Sequence, residues 1–119
     1  HTHLWTIDVA AAMTTPQAGT ARTKGKDFTV GGYSWSPDST RIAFSAQVNP
    51  DLTQGHTADI YLLTLDGDRV TRLVDLRGPD SGPQWSPDGT QVIFSSQMGR
   101  QDIHACNARL AVVPVTGGV

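Results

Sequence analysis

The sequence predicts an all-β fold built from repeated four-stranded antiparallel units, and two observations carry this prediction. The first is an internal repeat: residues 35–45 read WSPDSTRIAFS and residues 85–95 read WSPDGTQVIFS, with seven of eleven positions identical at a constant offset of 50. The second is composition, because 12 glycines and 7 prolines in 119 residues are typical of a chain with many turns. Self-similarity at such a period indicates stacked repeats.

The turn after the first strand is the best-defined part of the repeat. We expect residues 32–36 as the first strand and residues 41–47 as the second, joined by the turn SPDS at residues 36–39. Proline presets φ to about −65° at the second turn position, and an aspartate at the third can bond nearby backbone amides. The next residue needs positive φ. Gly89 therefore fits its turn without strain, whereas Ser39 costs on the order of 1 kcal/mol in the same place.

The third and fourth strands of this unit are expected at residues 59–65 and 69–74. The third is almost continuously apolar, with the sequence IYLLTL at its centre, which is typical of a strand buried on both faces. The fourth alternates charged and apolar residues, as an outer edge strand does, and Asp66-Gly67 between the two is a strong hairpin signal.

Incomplete units are expected on both sides of this one. Strands at residues 82–86, 91–97 and 109–115 match the first three of a second unit, and residues 4–9 and 20–23 resemble the third and fourth of an earlier one. Units of this kind are the blades of a β-propeller, which typically has ~4–8 of them. The predicted fold is therefore a partial β-propeller of about two and a quarter four-stranded antiparallel blades, a fragment of a larger propeller. The predicted divisions are the last two strands of a preceding blade, a complete blade and three strands of the next, at residues 1–30, 31–78 and 79–119.

The signature W-S-P-D-G/S-T-x-I/V-x-F-S, followed by D-I-Y and L-D-G, resembles the WD40-like repeat of TolB-type propellers. It also resembles the propeller of the prolyl oligopeptidase family of serine peptidases. The repeat of 50 residues is longer than the ~40–45 of compact WD-type blades. The excess lies in residues 46–57 and 97–108, between the second and third strands. The stretch from Ser81 to Gly118 is similar to the dipeptidyl aminopeptidase and acylaminoacyl-peptidase branch.

This resemblance implies a role without catalysis by the chain itself. In that family the propeller covers a separate α/β-hydrolase domain that holds the nucleophile, and it limits and positions peptide substrates. The implied partners are thus an α/β-hydrolase domain of the same parent chain and a peptide substrate. No catalytic position of the family has a counterpart here, so we assign no catalytic residue, no cofactor and no metal ligand. A TolB-like propeller that serves as a protein-interaction scaffold is the alternative.

Charge and hydropathy exclude two other classes of partner. A net charge of −2 gives no basic surface for nucleic acid, and no apolar run approaches the ~20 residues that cross a bilayer. The first ten residues, HTHLWTIDVA, have no initiator methionine and no signal-peptide pattern. The single Cys106 excludes an intrachain disulfide and leaves cytoplasm or periplasm open.

Several residues could suggest a catalytic or ligand-binding role, but each has a simpler structural explanation. Ser34 lacks the second glycine of a Gly-x-Ser-x-Gly turn, so we expect a strand residue. Asp38 and Asp88 recur at one turn position, which favours turn chemistry over a catalytic pair. Trp35 and Trp85 occupy one repeat position, so packing between adjacent blades explains both.

The remaining candidate functional residues are the histidines, as possible metal ligands, and polar residues of the two long insertions. Zinc needs three or four converging ligands, and the four histidines offer no such set, so we expect solvated side chains at His1, His3, His56 and His104. The two long insertions are the candidate binding surface, because binding on such folds usually lies in loops on a rigid scaffold, and variable solvent-exposed loops without a binding role are the simpler explanation. Their polar candidates are Asn49, Gln54, Arg100 and Gln101.

Overall fold

The computed structural model describes residues 3–14, 18–23, 29–47, 58–75, 79–96 and 109–116. Over these residues the chain forms nine strands and one short helix, and the strands are arranged in three antiparallel sheets. In chain order the elements are β1 (Trp5–Thr6), α1 (Val9–Thr14), β2 (Thr20–Ala21), β3 (Thr29–Trp35), β4 (Arg41–Gln47), β5 (Asp59–Thr64), β6 (Arg69–Val74), β7 (Asp80–Trp85), β8 (Gln91–Ser96) and β9 (Arg109–Pro114).

The middle sheet has the strand order β3-β4-β5-β6, so each strand pairs with the next one along the chain. The bounds of β4 and β6 are those that the sequence predicts. β3 is longer than expected because it continues through a bulge between Val30 and Tyr33. The hydroxyl of Ser45 accepts a hydrogen bond from the Gly32 amide there, at 2.9 Å, which satisfies a donor that the bulge removes from the ladder.

The C-terminal sheet has the order β7-β8-β9 and repeats the first three strands of the middle sheet. A bulge again interrupts its first strand, between Ser81 and Gln84. Gly82 has φ +63° at this bulge, a conformation that favours glycine. A Cβ added at Gly32 would lie 3.9 Å from the Gly82 Cα, so the two bulges face each other closely.

The N-terminal sheet corrects one expectation. β1 pairs with β2 through Trp5↔Ala21 and Thr6↔Thr20, but the strand expected over residues 4–9 ends at Thr6, and α1 begins at Val9. The sequence from Ala10 to Ala12 consists of the residue with the highest helix propensity, and Asp8 precedes the helix at the N-cap position. Local propensity therefore outweighs the resemblance to β5.

The hairpin between β5 and β6 also differs in detail from the expectation. β5 ends at Thr64, one residue earlier than expected, and Thr64 pairs with Arg69, so the four residues 65–68 form the connection. Gly67 and Asp68 have φ +81° and +48°. The Asp66-Gly67 signal thus marks the hairpin correctly, although the turn is longer.

The core consists of two apolar clusters, one on each face of the middle sheet. The alternation along β4 and β5 sends consecutive residues to opposite faces. One cluster joins the middle sheet to the C-terminal sheet and contains Ala43, Ile60, Leu62, Leu73, Val74, Val92, Phe94 and Val113. The other contains Leu4, Val30, Ile42, Phe44, Ala46, Tyr61 and Leu63. β5 is buried on both faces, as its apolar sequence predicts.

In the described residues, no helix is long and apolar enough to span a membrane.

Candidate functional site

The two SPD turns have the same network of hydrogen bonds. In the first, Asp38 Oδ1 accepts from the Ser36 hydroxyl at 2.7 Å, the Thr40 amide at 3.1 Å and the Thr40 hydroxyl at 2.7 Å. The Ser36 hydroxyl in turn accepts from the Arg41 amide at 3.0 Å. Because one carboxylate oxygen takes three donors, these bonds lower the pKa of Asp38 to about 2, with Ser36 the largest cause.

The second turn reproduces this network at an offset of 50. Asp88 Oδ1 accepts from the Ser86 hydroxyl at 2.6 Å and from the amide and hydroxyl of Thr90 at 3.0 and 2.8 Å. The pKa of Asp88 is likewise lowered to about 2, chiefly by Ser86. The fourth turn residue has φ +61° at Ser39 and +73° at Gly89, as the sequence predicts. The repeated aspartates therefore organise turns.

Trp85 joins the C-terminal sheet to the middle sheet. Its indole Nε1 donates to the Ser34 carbonyl oxygen at 3.0 Å, and the Arg41 guanidinium carbon lies 4.9 Å from the ring centroid. Arg41 also donates to the Gly89 carbonyl oxygen at 3.5 Å. Ser34 is a strand residue, as expected, and its carbonyl accepts the bond that orients Trp85.

Trp35, the equivalent residue one repeat earlier, lies in different surroundings. Its side chain is 44% exposed, and Tyr33 and Trp5 beside it are 58% and 65% exposed. Together they border a cavity of about 310 Å³ between β1 and the first two strands of the middle sheet, lined by His3, Leu4, Trp5, Thr6, Tyr33, Trp35 and Ile42. Packing between sheets thus accounts for the position of the Trp85 side chain, as expected. It accounts only in part for Trp35, whose side chain is partly exposed. We call this space the Trp35 cavity.

Buried carboxylates lie where the middle and C-terminal sheets meet. Asp59 and Asp80 are 3% and 0% exposed, the Asp80 amide donates to the Ala58 carbonyl oxygen at 2.8 Å, and Arg72 forms an ion pair with Asp59 and another with Asp75 at 3.1 Å. Neither oxygen of Asp80 has a hydrogen bond of normal geometry among the described residues.

Burial raises the pKa of Asp80 to about 6. The Ser96 side chain opposes this rise, and the charge of Asp59 adds to it. Comparison at the repeat offset could have found this residue, because Asp80 occupies the place that the apolar Val30 has in the middle sheet.

The other sequence candidates fall into two groups. His3 is expected as a solvated side chain, but it is half-buried, and its imidazole Nδ1 lies 3.1 Å from the Thr23 hydroxyl. The same hydroxyl accepts from the Leu4 amide at 3.0 Å, so this histidine helps to hold β1 in place. The remaining candidates lie outside the described residues: His1, His56, His104, Cys106, Asn49, Gln54, Arg100 and Gln101. Within the described residues, no three His, Cys, Asp or Glu side chains come together to hold a metal ion.

Comparison with known proteins gives the fold. No family model and no curated protein sequence matches the chain. Among solved structures, a protein reported as TolB from Agrobacterium tumefaciens superimposes with a TM-score of 0.65 and 26% identity over 89% of this chain. The chain folds as a partial, TolB-like β-propeller. The three sheets are accordingly parts of its blades.

Two further solved structures have the same fold. TolB from Acinetobacter baumannii matches with a TM-score of 0.57 and 23% identity over 82% of the chain, and the tricorn protease matches with 0.62 and 16% over 83%. This chain corresponds to 33% of the Agrobacterium protein, 23% of the Acinetobacter protein and 11% of the tricorn protease.

Proposed function

We propose that this chain is a non-catalytic propeller segment of a serine peptidase of the prolyl oligopeptidase family. Its role is to gate and position peptide substrates for a separate α/β-hydrolase domain. The observation that carries the proposal is the stacking of consecutive repeats through Trp85, Ser34 and Arg41. Such stacking gives a rigid support for the long insertions that follow β4 and β8. The similarity to a propeller within the tricorn protease supports the link to proteolysis.

A TolB-like interaction scaffold is the second candidate function. The specific observation in its favour is that the two TolB structures have higher sequence identity, 26% and 23%, than the protease at 16%. In this case the same insertions contact a protein partner and no hydrolase domain is attached.

The reading frame beyond Val119 separates the two functions. A Gly-x-Ser-x-Gly motif followed by Asp and His supports the peptidase, because this order is the one that α/β-hydrolases use. A stop codon soon after the propeller closes supports the scaffold and contradicts the peptidase.

Activity measurements test the division of labour. We expect the 119-residue chain alone to show no hydrolysis of aminoacyl amide or ester substrates. Turnover above background that a serine-directed inhibitor abolishes would contradict the non-catalytic role.

The complete protein tests the role of the insertions. Replacing Arg100 and Gln101 by alanine is expected to raise KM for peptides with little change in kcat, because these residues would bind substrate rather than react. Arg69→Ala on the exposed edge strand β6 is the matched control. Equal effects of the loop and control variants would contradict substrate positioning.

A further inference from the structure

The dipeptide Asp-Gly occurs twice in the chain, at residues 66–67 and 88–89, and the fold holds its two copies differently. In such a dipeptide the aspartate side chain can be attacked by the backbone nitrogen that follows it, because glycine has no Cβ to shield this nitrogen. The reaction depends on how freely the carboxyl group and the amide can approach each other. The surroundings of the two copies therefore decide which of them reacts.

The second copy lies in an SPD turn, where both reacting groups already have hydrogen-bond partners. Asp88 Oδ1 accepts the three bonds described above, and the Gly89 amide donates to the Ser86 carbonyl oxygen at 3.0 Å. A Cβ added at Gly89 would lie 3.7 Å from Pro37 Cδ, so the first SPD turn packs close to this one. Movement of the carboxyl group and the amide toward each other would break these bonds.

The first copy lies in the connection between β5 and β6, where Asp66 and Gly67 are both exposed. Among the described residues, neither the Asp66 carboxylate nor the Gly67 amide takes part in a hydrogen bond. The turn is closed by the Asp68 amide instead, which donates to the Leu65 carbonyl oxygen at 3.4 Å. A Cβ added at Gly67 would meet no atom within 4 Å, so the space around the reacting groups is open.

We propose that Asp66 is a site of spontaneous isomerisation to isoaspartate and that the SPD turn protects Asp88 from the same reaction. The Gly67 nitrogen forms a bond with the side-chain carboxyl carbon of Asp66, the C–OH bond of the neutral acid breaks, and the hydroxyl leaves with the amide proton as water. The product is a succinimide ring. Addition of water at its main-chain carbonyl opens the ring to isoaspartate, in which the chain continues through the Asp66 side chain.

The charge of Asp88 adds to its protection. Ring closure proceeds from the neutral carboxyl group, because a carboxylate has no hydroxyl group to lose. Hydrogen bonds from Ser86 and Thr90 lower the pKa of Asp88 to about 2. At neutral pH its neutral fraction is therefore on the order of 10–100-fold below that of an ordinary aspartate.

The test is incubation of the folded chain at neutral pH, followed by trypsin digestion and mass spectrometry with electron-transfer fragmentation. Cleavage after arginine separates the two sites, because residues 42–69 carry Asp66 and residues 78–100 carry Asp88. We expect isoaspartate to accumulate at Asp66 on the order of tenfold or more faster than at Asp88. A sample digested without incubation gives the background. Equal accumulation at the two sites, or none at Asp66, overturns the proposal.

Two controls separate the effect of the fold from that of the neighbouring sequence. In guanidinium the turn is lost, so we expect the two sites to react at similar rates. In the folded Ser86→Ala variant, which removes a donor to Asp88, we expect isoaspartate to rise at Asp88 and to stay unchanged at Asp66. A difference between the sites that persists undiminished in guanidinium, or an Asp88 rate that Ser86→Ala leaves unchanged, overturns the protection by the turn.

Isomerisation at Asp66 also affects a contact between the N-terminal and middle sheets. Arg22 donates to Asp68 at 2.8 Å and to the Thr6 hydroxyl at 2.7 Å. Isoaspartate adds one methylene to the main chain two residues before Asp68, which moves this carboxylate relative to Arg22. We expect the incubated chain to have a lower urea midpoint than an equally incubated Asp66→Glu variant, whose longer side chain does not close the same ring. Equal loss in both chains overturns this effect of the modification.

Discussion

The fourth residue of each SPD turn adopts the left-handed region, where a side chain costs energy that glycine avoids. Ser39 and Gly89 occupy this position with φ +61° and +73°. We expect Ser39→Gly to raise the free energy of unfolding by about 0.5–1 kcal/mol and Gly89→Ser to lower it by a similar amount. Urea unfolding measures both effects. The matched control is Asp66→Gly in the exposed loop, whose φ is not positive, and a gain there as large as at Ser39 would contradict the explanation.

The Ser36 hydroxyl is the largest cause of the low pKa of Asp38. We expect Ser36→Ala to move the Asp38 titration midpoint upward from about 2, toward the ordinary aspartate range, because it removes a donor to the charged form. Carboxyl carbon NMR measures this midpoint. Asp88 is the internal control, and its midpoint should stay at about 2. A common shift of both aspartates would mean that the variant alters the whole fold.

The lowered pKa values of Asp38 and Asp88 determine how the stability of the fold changes with pH. A pKa that is lower in the folded chain stabilises it above the unfolded value of about 3.9, and the stabilisation is lost as pH falls toward 2. Both SPD turns therefore weaken together in strong acid. Asp80 has the opposite sign, because its folded pKa is raised to about 6.

Asp80 is expected to destabilise the fold at neutral pH. The folded chain favours the neutral acid form of the Asp80 carboxyl group. The contribution of this form to the free energy of unfolding is therefore fully present below about pH 4 and is lost as pH rises through about 6. We expect Asp80→Asn to raise the free energy of unfolding at pH 8 by on the order of 1–3 kcal/mol, with the difference from the parent chain disappearing near pH 4. Denaturant unfolding across this range measures it. Asp66→Asn in the exposed loop is the control, and a pH-independent effect of Asp80→Asn would contradict the burial argument.

At the scale of single elements, the strands with the strongest local patterns were the most predictable. β4 and β6 have the bounds that alternation predicts, and the burial of β5 follows from its apolar run. α1 differs from the prediction because the similarity of residues 4–9 to β5 does not reflect the helix propensity of the alanine run. The bulges in β3 and β7 lengthen both strands beyond the patterned residues, and alternation alone does not show them.

The repeat pattern alone does not predict the surroundings of the two equivalent tryptophans. The sequence places Trp35 and Trp85 at one position, yet only Trp85 has the Ser34 carbonyl and Arg41 beside it. The surroundings of a residue that packs between sheets depend on the neighbouring repeat, which its own motif does not encode. The Trp35 cavity could therefore be found only from coordinates, whereas the offset of 50 that pairs Asp80 with the apolar Val30 marks Asp80 as unusual in the sequence itself.

This difference between the tryptophans gives a prediction at the junction of two sheets. Trp85→Phe keeps an aromatic ring for Arg41 but removes the donor to Ser34, so we expect the free energy of unfolding to fall by about 1 kcal/mol or more. Trp35→Phe is the matched control, because Trp35 lacks this junction, and it should change stability less. Thermal or urea unfolding compares the two variants. Equal losses would contradict the role assigned to the indole bond.

At the scale of the whole molecule, three apolar side chains of the C-terminal sheet are exposed. Ile93, Leu110 and Val112 correspond by the offset of 50 to Ala43, Ile60 and Leu62, which the next sheet buries. In the C-terminal sheet, Leu110 and Val112 are 76% and 51% exposed. An exposed apolar patch of this kind favours self-association in solution.

We expect Leu110→Lys and Val112→Lys together to reduce concentration-dependent association while leaving the free energy of unfolding nearly unchanged. Both side chains already contact water, so lysine there buries no charge, and it discourages association of exposed sheet surfaces. Static light scattering over a concentration series and urea unfolding measure the two effects. Val113→Lys is the matched control one residue away, because Val113 is fully buried and a charge in its place should unfold the sheet. If the double variant associates as strongly as the parent chain, this face is not the site of association.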